Sequence, residues 1–231
     1  LQNMLCHIIN KIFGSTEINI GENTIDFSGE WKVVSFRELI LKDCGIDINT
    51  IPTAEELLNE IVKHNIELES ETDIKLLGRG NLIDLLYKKV SRPKIIEPTF
   101  LVEHPTSLSP LARANDANSE ISDRFQLIIN GAEVINAYSE LVDPVEQKNR
   151  LIEQARLKEG GDEEAMVMDH DYITAMEYGM PPISGWGMGI DRIIQILTGQ
   201  NNIKDTVMFP LMRPLVSNET TSIPSKEENK N

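Results

Sequence analysis

The chain has 231 residues, 40% of them hydrophobic, enough to bury one full core with at most a small appendage. A formal net charge of -15 and a pI near 4.7 weigh against a nonspecific DNA or anionic-membrane binder, although an acidic body can still carry a local basic surface. Cys6 and Cys44 have neither metal-ligand spacing nor a disulfide framework, no run approaches transmembrane length and no signal peptide is read at the start, so a cytoplasmic setting is expected.

Leu1, Met4, Leu5, Ile8, Ile9, Ile12 and Phe13 form an amphipathic helical stripe that Gly14 stops. The pattern is already under way at residue 1, without an initiator Met or an N-cap ahead of it, so the chain is expected to begin inside an element. Two short strands over 17–20 and 24–27 are predicted to form a hairpin through Gly21-Glu22-Asn23, with 31–34 extending the sheet before a helix over 36–42. Thr53-Ala54-Glu55-Glu56 is a capping box opening a helix that carries Leu57, Leu58, Ile61 and Val62. A second helix is predicted over 81–90, and the acidic run 67–73 between them reads as a solvated face or loop. Residues 45–92 together read as a small helical insertion. Lys88, Lys89, Arg92 and Lys94 make a modest basic cluster, suited to nucleic acid or to ordinary surface.

Residues 98–103 (PTFLVE) read as a strand returning to the sheet, and the loop over 104–118 carries HPTSLSPLARAND. The stretch DRFQLIINGAEVINAYSE, 123–140, holds Asn130-Gly131 between two apolar runs, a strong hairpin signal because both residues tolerate positive φ. Counting outward from that turn sets Ile129 opposite Ala132, Ile128 opposite Glu133 and Gln126 opposite Ile135, with Gln126 and Glu133 sharing a face. Two carboxylates there could hold Mg²⁺, but one of the pair is an amide. Strict alternation puts Asn136, Tyr138 and Glu140 on the face opposite Glu133.

Asp143, Pro144 and Glu146 open a helix expected to reach about Lys158. The acidic stretch 159–171 contains His170, but its spacing fits a solvated loop better than a metal site; His7, His64 and His104 are equally uncommitted. A short helix is expected over 172–178. Then comes GWGMGIDR, 185–192, where Gly185, Gly187 and Gly189 alternate and leave a strip of backbone against which something flat can lie. Ile190, Ile193, Ile194 and Leu197 follow as a helical stripe, and Arg192 lies between Met188 and Ile196. A helix apolar on two sides is expected to be buried, and an arginine on it requires an anion, from a ligand or from a structural carboxylate. The polar tail 217–231 is expected to be disordered, and its Asn218-Glu219-Thr220 sequon is taken as chance.

The run PPISGWGMGIDRIIQILTGQNNIKDTVMFPLMRP, 181–214, resembles motif 3 of the class II aminoacyl-tRNA synthetases, and more narrowly the C-terminal half of a lysyl-tRNA synthetase catalytic domain. HPTSLSPLARAND is similar as well, and the resemblance runs from the first helix to about Pro214. It implies an α+β fold, an antiparallel sheet flanked by helices with the small helical insertion, making a partial catalytic domain over 1–216. It implies lysine activation with ATP and Mg²⁺, then transfer to tRNA(Lys), by an enzyme that is a homodimer at full length. Arg192 matches the arginine that packs on ATP and contacts its phosphates, making it the catalytic candidate; Gly185, Gly187, Gly189 and Glu133 are the other ATP-site candidates. Asn136, Tyr138, Glu140 and Gly187 match the lysine pocket, with Glu140 set to pair the substrate ammonium. Ser109, Pro110 and Arg113 fall where a loop borders the active site. Glu133 matches a Mg²⁺ ligand, and Gln126 stands where the family has a second ligating glutamate, which weakens the expected site; Ala132 stands where many relatives carry an arginine.

In the family the counterparts of Glu133, Asn136, Tyr138 and Glu140 share one pocket, so a β-bulge is predicted between Val134 and Asn136. The family's motif 1, its motif 2 arginine and its anticodon-binding domain have no match in this sequence, so little adenylation by this chain alone is expected. Two alternatives stand beside this reading. One is a synthetase-like lysine ligase acting on a translation factor, which the glycines at 187 and 189 oppose; the other is a non-catalytic interaction protein on the synthetase fold, which Gln126 favours.

Overall fold

The computed structural model of the chain describes residues 1–70, 73–163 and 165–212. In chain order the elements are α1 (Gln2–Phe13), β1 (Glu17–Ile20), β2 (Asn23–Asp26), β3 (Lys32–Ser35), α2 (Phe36–Cys44), α3 (Ala54–Lys63) and α4 (Arg79–Val90). They are followed by β4 (Thr99–Val102), β5 (Arg124–Ile129), β6 (Ala132–Ser139), α5 (Pro144–Glu159), α6 (His170–Glu177), β7 (Ser184–Met188) and α7 (Ile190–Leu197). The tail 217–231, with its sequon, lies outside the described residues.

A five-stranded sheet in the order β3-β4-β5-β6-β7 organises the chain, and β1 and β2 form a separate hairpin. The strands from β4 to β7 pair antiparallel, and β3 joins the edge parallel to β4. The α+β sheet flanked by helices is as expected. The placing of β3 differs, because it pairs with β4 rather than extending the β1–β2 hairpin.

Each face of the sheet has its own core. On one, Phe36 and Ile40 of α2, Leu57 and Ile61 of α3, and Leu82 and Leu86 of α4 pack with Leu101 and Ile128 from the strands. On the other, Leu5 and Ile9 of α1, Ile25 and Phe27 of the hairpin region, and Ile193 and Ile196 of α7 pack on Leu127, Ile129, Val134 and Ile135. The helices start where short polar side chains supply acceptors. The Thr53 hydroxyl accepts from Glu56 N at 3.2 Å, and Asp143 accepts from Val145 N and Glu146 N at 2.8 and 3.3 Å, each such cap contributing about 1 kcal/mol. Asp169 does the same for Tyr172 N at 2.9 Å, so α6 begins at His170, two residues before the predicted start.

Two expectations are corrected. Helix α7 is buried along one side only: Ile193 and Ile196 are covered, whereas Ile190 is 55% and Ile194 40% exposed. The acidic stretch 159–171 is not uniformly solvated. Asp162 is fully buried and accepts from Gly78 N at 2.8 Å and from Asn81 Nδ2 at 2.9 Å, tying this stretch to the start of α4. In the basic cluster Lys88 pairs with Asp84, Lys89 with Glu69 and Lys94 with Asp43.

Candidate functional site

The β5–β6 hairpin turns at Asn130 and Gly131, both left-handed at φ 49 and 71, a conformation that glycine and asparagine adopt with least strain. From the turn, Ile129 pairs with Ala132 and Ile128 with Glu133. The register then shifts: Leu127 pairs with Ile135, Gln126 with Asn136 and Arg124 with Tyr138, leaving Val134 as the extra residue of a bulge. The bulge sits at the near end of the predicted interval, and Gln126 therefore faces Asn136 rather than Ile135. Its cause is apolar. Val134 and Ile135 are consecutive and both enter the α1/α7 core, which regular alternation forbids. Its consequence is polar, because Glu133 and Asn136 both come to the face that carries Gln126 and Arg124.

Strand β7 lies against β6 with Gly187 opposite Asn136 and Gly185 opposite Tyr138. None of the three glycines of the strip has positive φ, so space rather than backbone conformation explains them. A Cβ on Gly185 would stand 2.7 Å from Glu140 Oε1, whereas one on Gly187 would meet nothing within 4 Å. The carboxyl group of Glu140 thus rests on the bare backbone of Gly185, and Gly187 leaves an open floor beside it. Gly189 ends the strand and starts α7, from which Arg192 Nη1 donates to the Glu133 carbonyl at 2.5 Å. That contact answers the anion requirement of Arg192 with a backbone carbonyl, and the guanidinium stays exposed.

Glu140 is half-buried and burial raises its pKa; it makes no ion pair among the described residues. The Tyr138 and Tyr172 phenols are both pushed up, by burial first and then by the Glu140 charge. A hollow of about 500 Å³ opens between Glu140, Arg113 and Ile183. A smaller one of about 130 Å³ lies between Asn136, Tyr138, Arg124 and the loop carrying Ser109 and Pro110.

Both amides of the site are oriented by a second side chain. Arg124 Nε donates to Asn136 Oδ1 at 3.0 Å while its Nη1 is anchored by Ser109 Oγ at 2.9 Å and the Leu108 carbonyl at 3.1 Å. Asn136 therefore keeps its NH₂ group for an acceptor. Gln126 Nε2 donates to Glu133 Oε2 at 2.7 Å, and its Oε1 lies 3.2 Å from His104 Nε2. Burial drives the His104 pKa down to about 3, with the Arg124 charge adding to it, so the ring is neutral and sets Nε2 toward Gln126 Oε1.

The pair Gln126 and Glu133 was the expected Mg²⁺ site. As arranged it offers one carboxylate and the nitrogen end of an amide, a set that does not fit a hard cation needing oxygen ligands.

Comparison with known proteins gives the family. The family described as tRNA synthetases class II (D, K and N) matches residues 1–213. The chain belongs to that family. Among its relatives, this class II synthetase chain is 42% identical over 214 residues to a lysine–tRNA ligase of Thermosipho africanus, covering 93% of the chain and 41% of the relative. It is 40% identical to a lysine–tRNA ligase of Porphyromonas gingivalis over 92% of the chain and 36% of the relative. A Bacillus cytotoxicus lysine–tRNA ligase is 39% identical over 92% of the chain and 42% of the relative. The chain thus spans about two fifths of the length of these relatives.

Within the synthetase chain, the predicted residues Gln126, Glu133, Asn136, Tyr138, Glu140, Gly185, Gly187, Gly189 and Arg192 all lie on or directly after β5, β6 and β7. Arg192 and Glu133 touch, and Glu140 and Gly185 touch. Sequence reasoning passed over Arg124, His104 and Tyr172. Arg124 had a signal, since it stands two residues before Gln126 and so shares its face. His104 and Tyr172 arrive from a loop and from a helix distant in sequence, and nothing local marks them.

Proposed function

We propose that this chain forms the lysine-binding side of a lysine–tRNA ligase active site, in a protein that activates lysine with ATP and passes it to tRNA(Lys). The observation that carries the reading is Glu140: a half-buried carboxylate, without an ion pair among the described residues, seated on a glycine that leaves room for it. Such a group gains most from a cation that fills the hollow beside it, and an alkylammonium is one. Tyr138 walls the aliphatic stem. Asn136, its oxygen taken by Arg124, turns its NH₂ to the substrate carboxylate.

ATP is the proposed cosubstrate. The lysine carboxylate attacks the α-phosphate in line, forming the aminoacyl adenylate, and pyrophosphate leaves; the protein positions the two reactants and stabilises phosphate charge. The open floor at Gly187, bounded by Gly185 and Gly189, suits the flat adenylate, and the exposed guanidinium of Arg192 is the proposed catalytic contact to phosphate. Mg²⁺ is the proposed counter-ion of the nucleotide, carried on its phosphates and not on the Glu133–Gln126 pair. We further propose that residues 1–216 are a partial catalytic domain with a helical insertion over 45–92. The whole protein is proposed to be a cytoplasmic homodimer; no helix of the described residues is long and apolar enough to cross a membrane.

Calorimetric titration with L-lysine and with L-norleucine, which lacks the ε-ammonium, tests the reading. Lysine is expected to bind more tightly by about tenfold or more, and Glu140→Gln to erase the difference. Equal binding of both ligands to the unaltered chain would overturn it.

A further inference from the structure

We propose that Gln126 closes the Glu133 carboxylate to divalent cations, and that His104 is the positioning residue that holds Gln126 in this orientation. The inference concerns the cleft assigned above, but its test uses neither lysine nor nucleotide, so the two readings fail separately.

A glutamine side chain has a donor end and an acceptor end, and its neighbours decide which way it points. Glu133 Oε2, 2.7 Å from Gln126, can only accept, so it takes the nitrogen end. The oxygen end then faces His104 Nε2 at 3.2 Å. His104 has little freedom to turn away. It is fully buried, its carbonyl accepts from Ser122 N at 2.8 Å and Ser122 Oγ at 3.0 Å, and its ring lies 5.0 Å from that of Phe36.

Gln126 Oε1 is the one atom of that side chain able to bind a hard cation, and it is directed away from the cleft toward His104. The NH₂ group meanwhile occupies one oxygen of Glu133, where a cation would otherwise sit. Turning the amide over would set Oε1 against a carboxylate oxygen, a like-against-like contact, and would require His104 to move its proton to Nδ1, which has no hydrogen-bond partner among the described residues. Among the described residues no three His, Cys, Asp or Glu side chains gather to offer another such site. What a cation would contribute here is supplied by fixed N–H donors: Gln126 NH₂ on the carboxylate and Arg192 on the Glu133 carbonyl.

The test is Mn²⁺ binding to the nucleotide-free full chain, read by electron paramagnetic resonance. The unaltered chain is expected to show no Mn²⁺ site that Glu133→Gln removes. Gln126→Glu is expected to create one, raising affinity by about tenfold or more, and Glu133→Gln added to it is expected to abolish that gain. A site in the unaltered chain that disappears in Glu133→Gln would overturn the proposal, as would a folded Gln126→Glu protein that binds Mn²⁺ no better. Should Gln126→Glu not fold, the comparison of the unaltered chain with Glu133→Gln still decides. The role of His104 has its own readout: ¹⁵N NMR of the imidazole is expected to show a protonated Nε2 and a bare Nδ1, and the opposite tautomer would overturn it.

Discussion

Glu140 owes its chemistry to a neighbour with no side chain. An alanine at Gly185 would place its methyl 2.7 Å from Glu140 Oε1, but the atom in the way is the far end of a flexible side chain and can move. Gly185→Ala is therefore expected to cost about 1 kcal/mol of stability or less in urea unfolding, while lowering lysine affinity by about tenfold because the carboxylate no longer rests in place. Gly187→Ala differs. Its methyl meets nothing within 4 Å, so stability is expected to hold while binding of an adenylate analogue weakens, as competition titrations would report. His104 supplies a pH dependence. Its folded pKa, about 3, lies below the ordinary value of 6.5, so between these the unfolded chain takes up a proton that the folded chain does not. Its contribution to stability is then greatest above pH 6.5 and falls on acidification through that window, by at most about 1.4 kcal/mol per pH unit. Urea unfolding across the window is expected to show a flatter slope in His104→Leu; an unchanged slope would count against a neutral buried ring.

At the scale of elements, the bulge at Val134 turns two successive apolar residues into one core contact and so gathers the polar ones on the other face. Deleting Val134 is expected to make the pairing regular while keeping Glu133 and Asn136 on the Gln126 face, and to cost about 2 kcal/mol in urea unfolding through the lost core side chain, with shifts along β5 and β6 in a ¹H–¹⁵N spectrum. Much of this level was legible in the sequence. Asn130-Gly131 announced its turn, Thr53 and Asp143 their caps, and the glycines of β7 their strip, because each signal lies within a few residues of its effect. Two features of the acidic run failed to read. Asp169 as a cap is local but was hidden among neighbouring acids, whereas Asp162 is buried for a non-local reason, because Gly78 and Asn81, far back in the chain, donate to it. The two-sided apolarity of α7 misled because only one side meets the sheet. Hydrophobic spacing fixes a face but not how many partners cover it.

For the whole molecule, the helices α2 to α4 fill one end of the site-bearing face and leave the other open, so one sheet carries both a core and a cleft. Because the chain spans about two fifths of the length of its relatives, lysine-dependent ATP–pyrophosphate exchange by these 231 residues is expected to be near background. Robust exchange would show that the chain holds a complete site. The account stands most directly on where an aminoacyl-adenylate lands. In a ¹H–¹⁵N titration with a non-hydrolysable lysyl-adenylate analogue, the signals of Asn136, Tyr138, Glu140, Gly185, Gly187 and Arg192 are expected to move together with one affinity. Shifts confined to other surfaces, with these six unmoved, would contradict it.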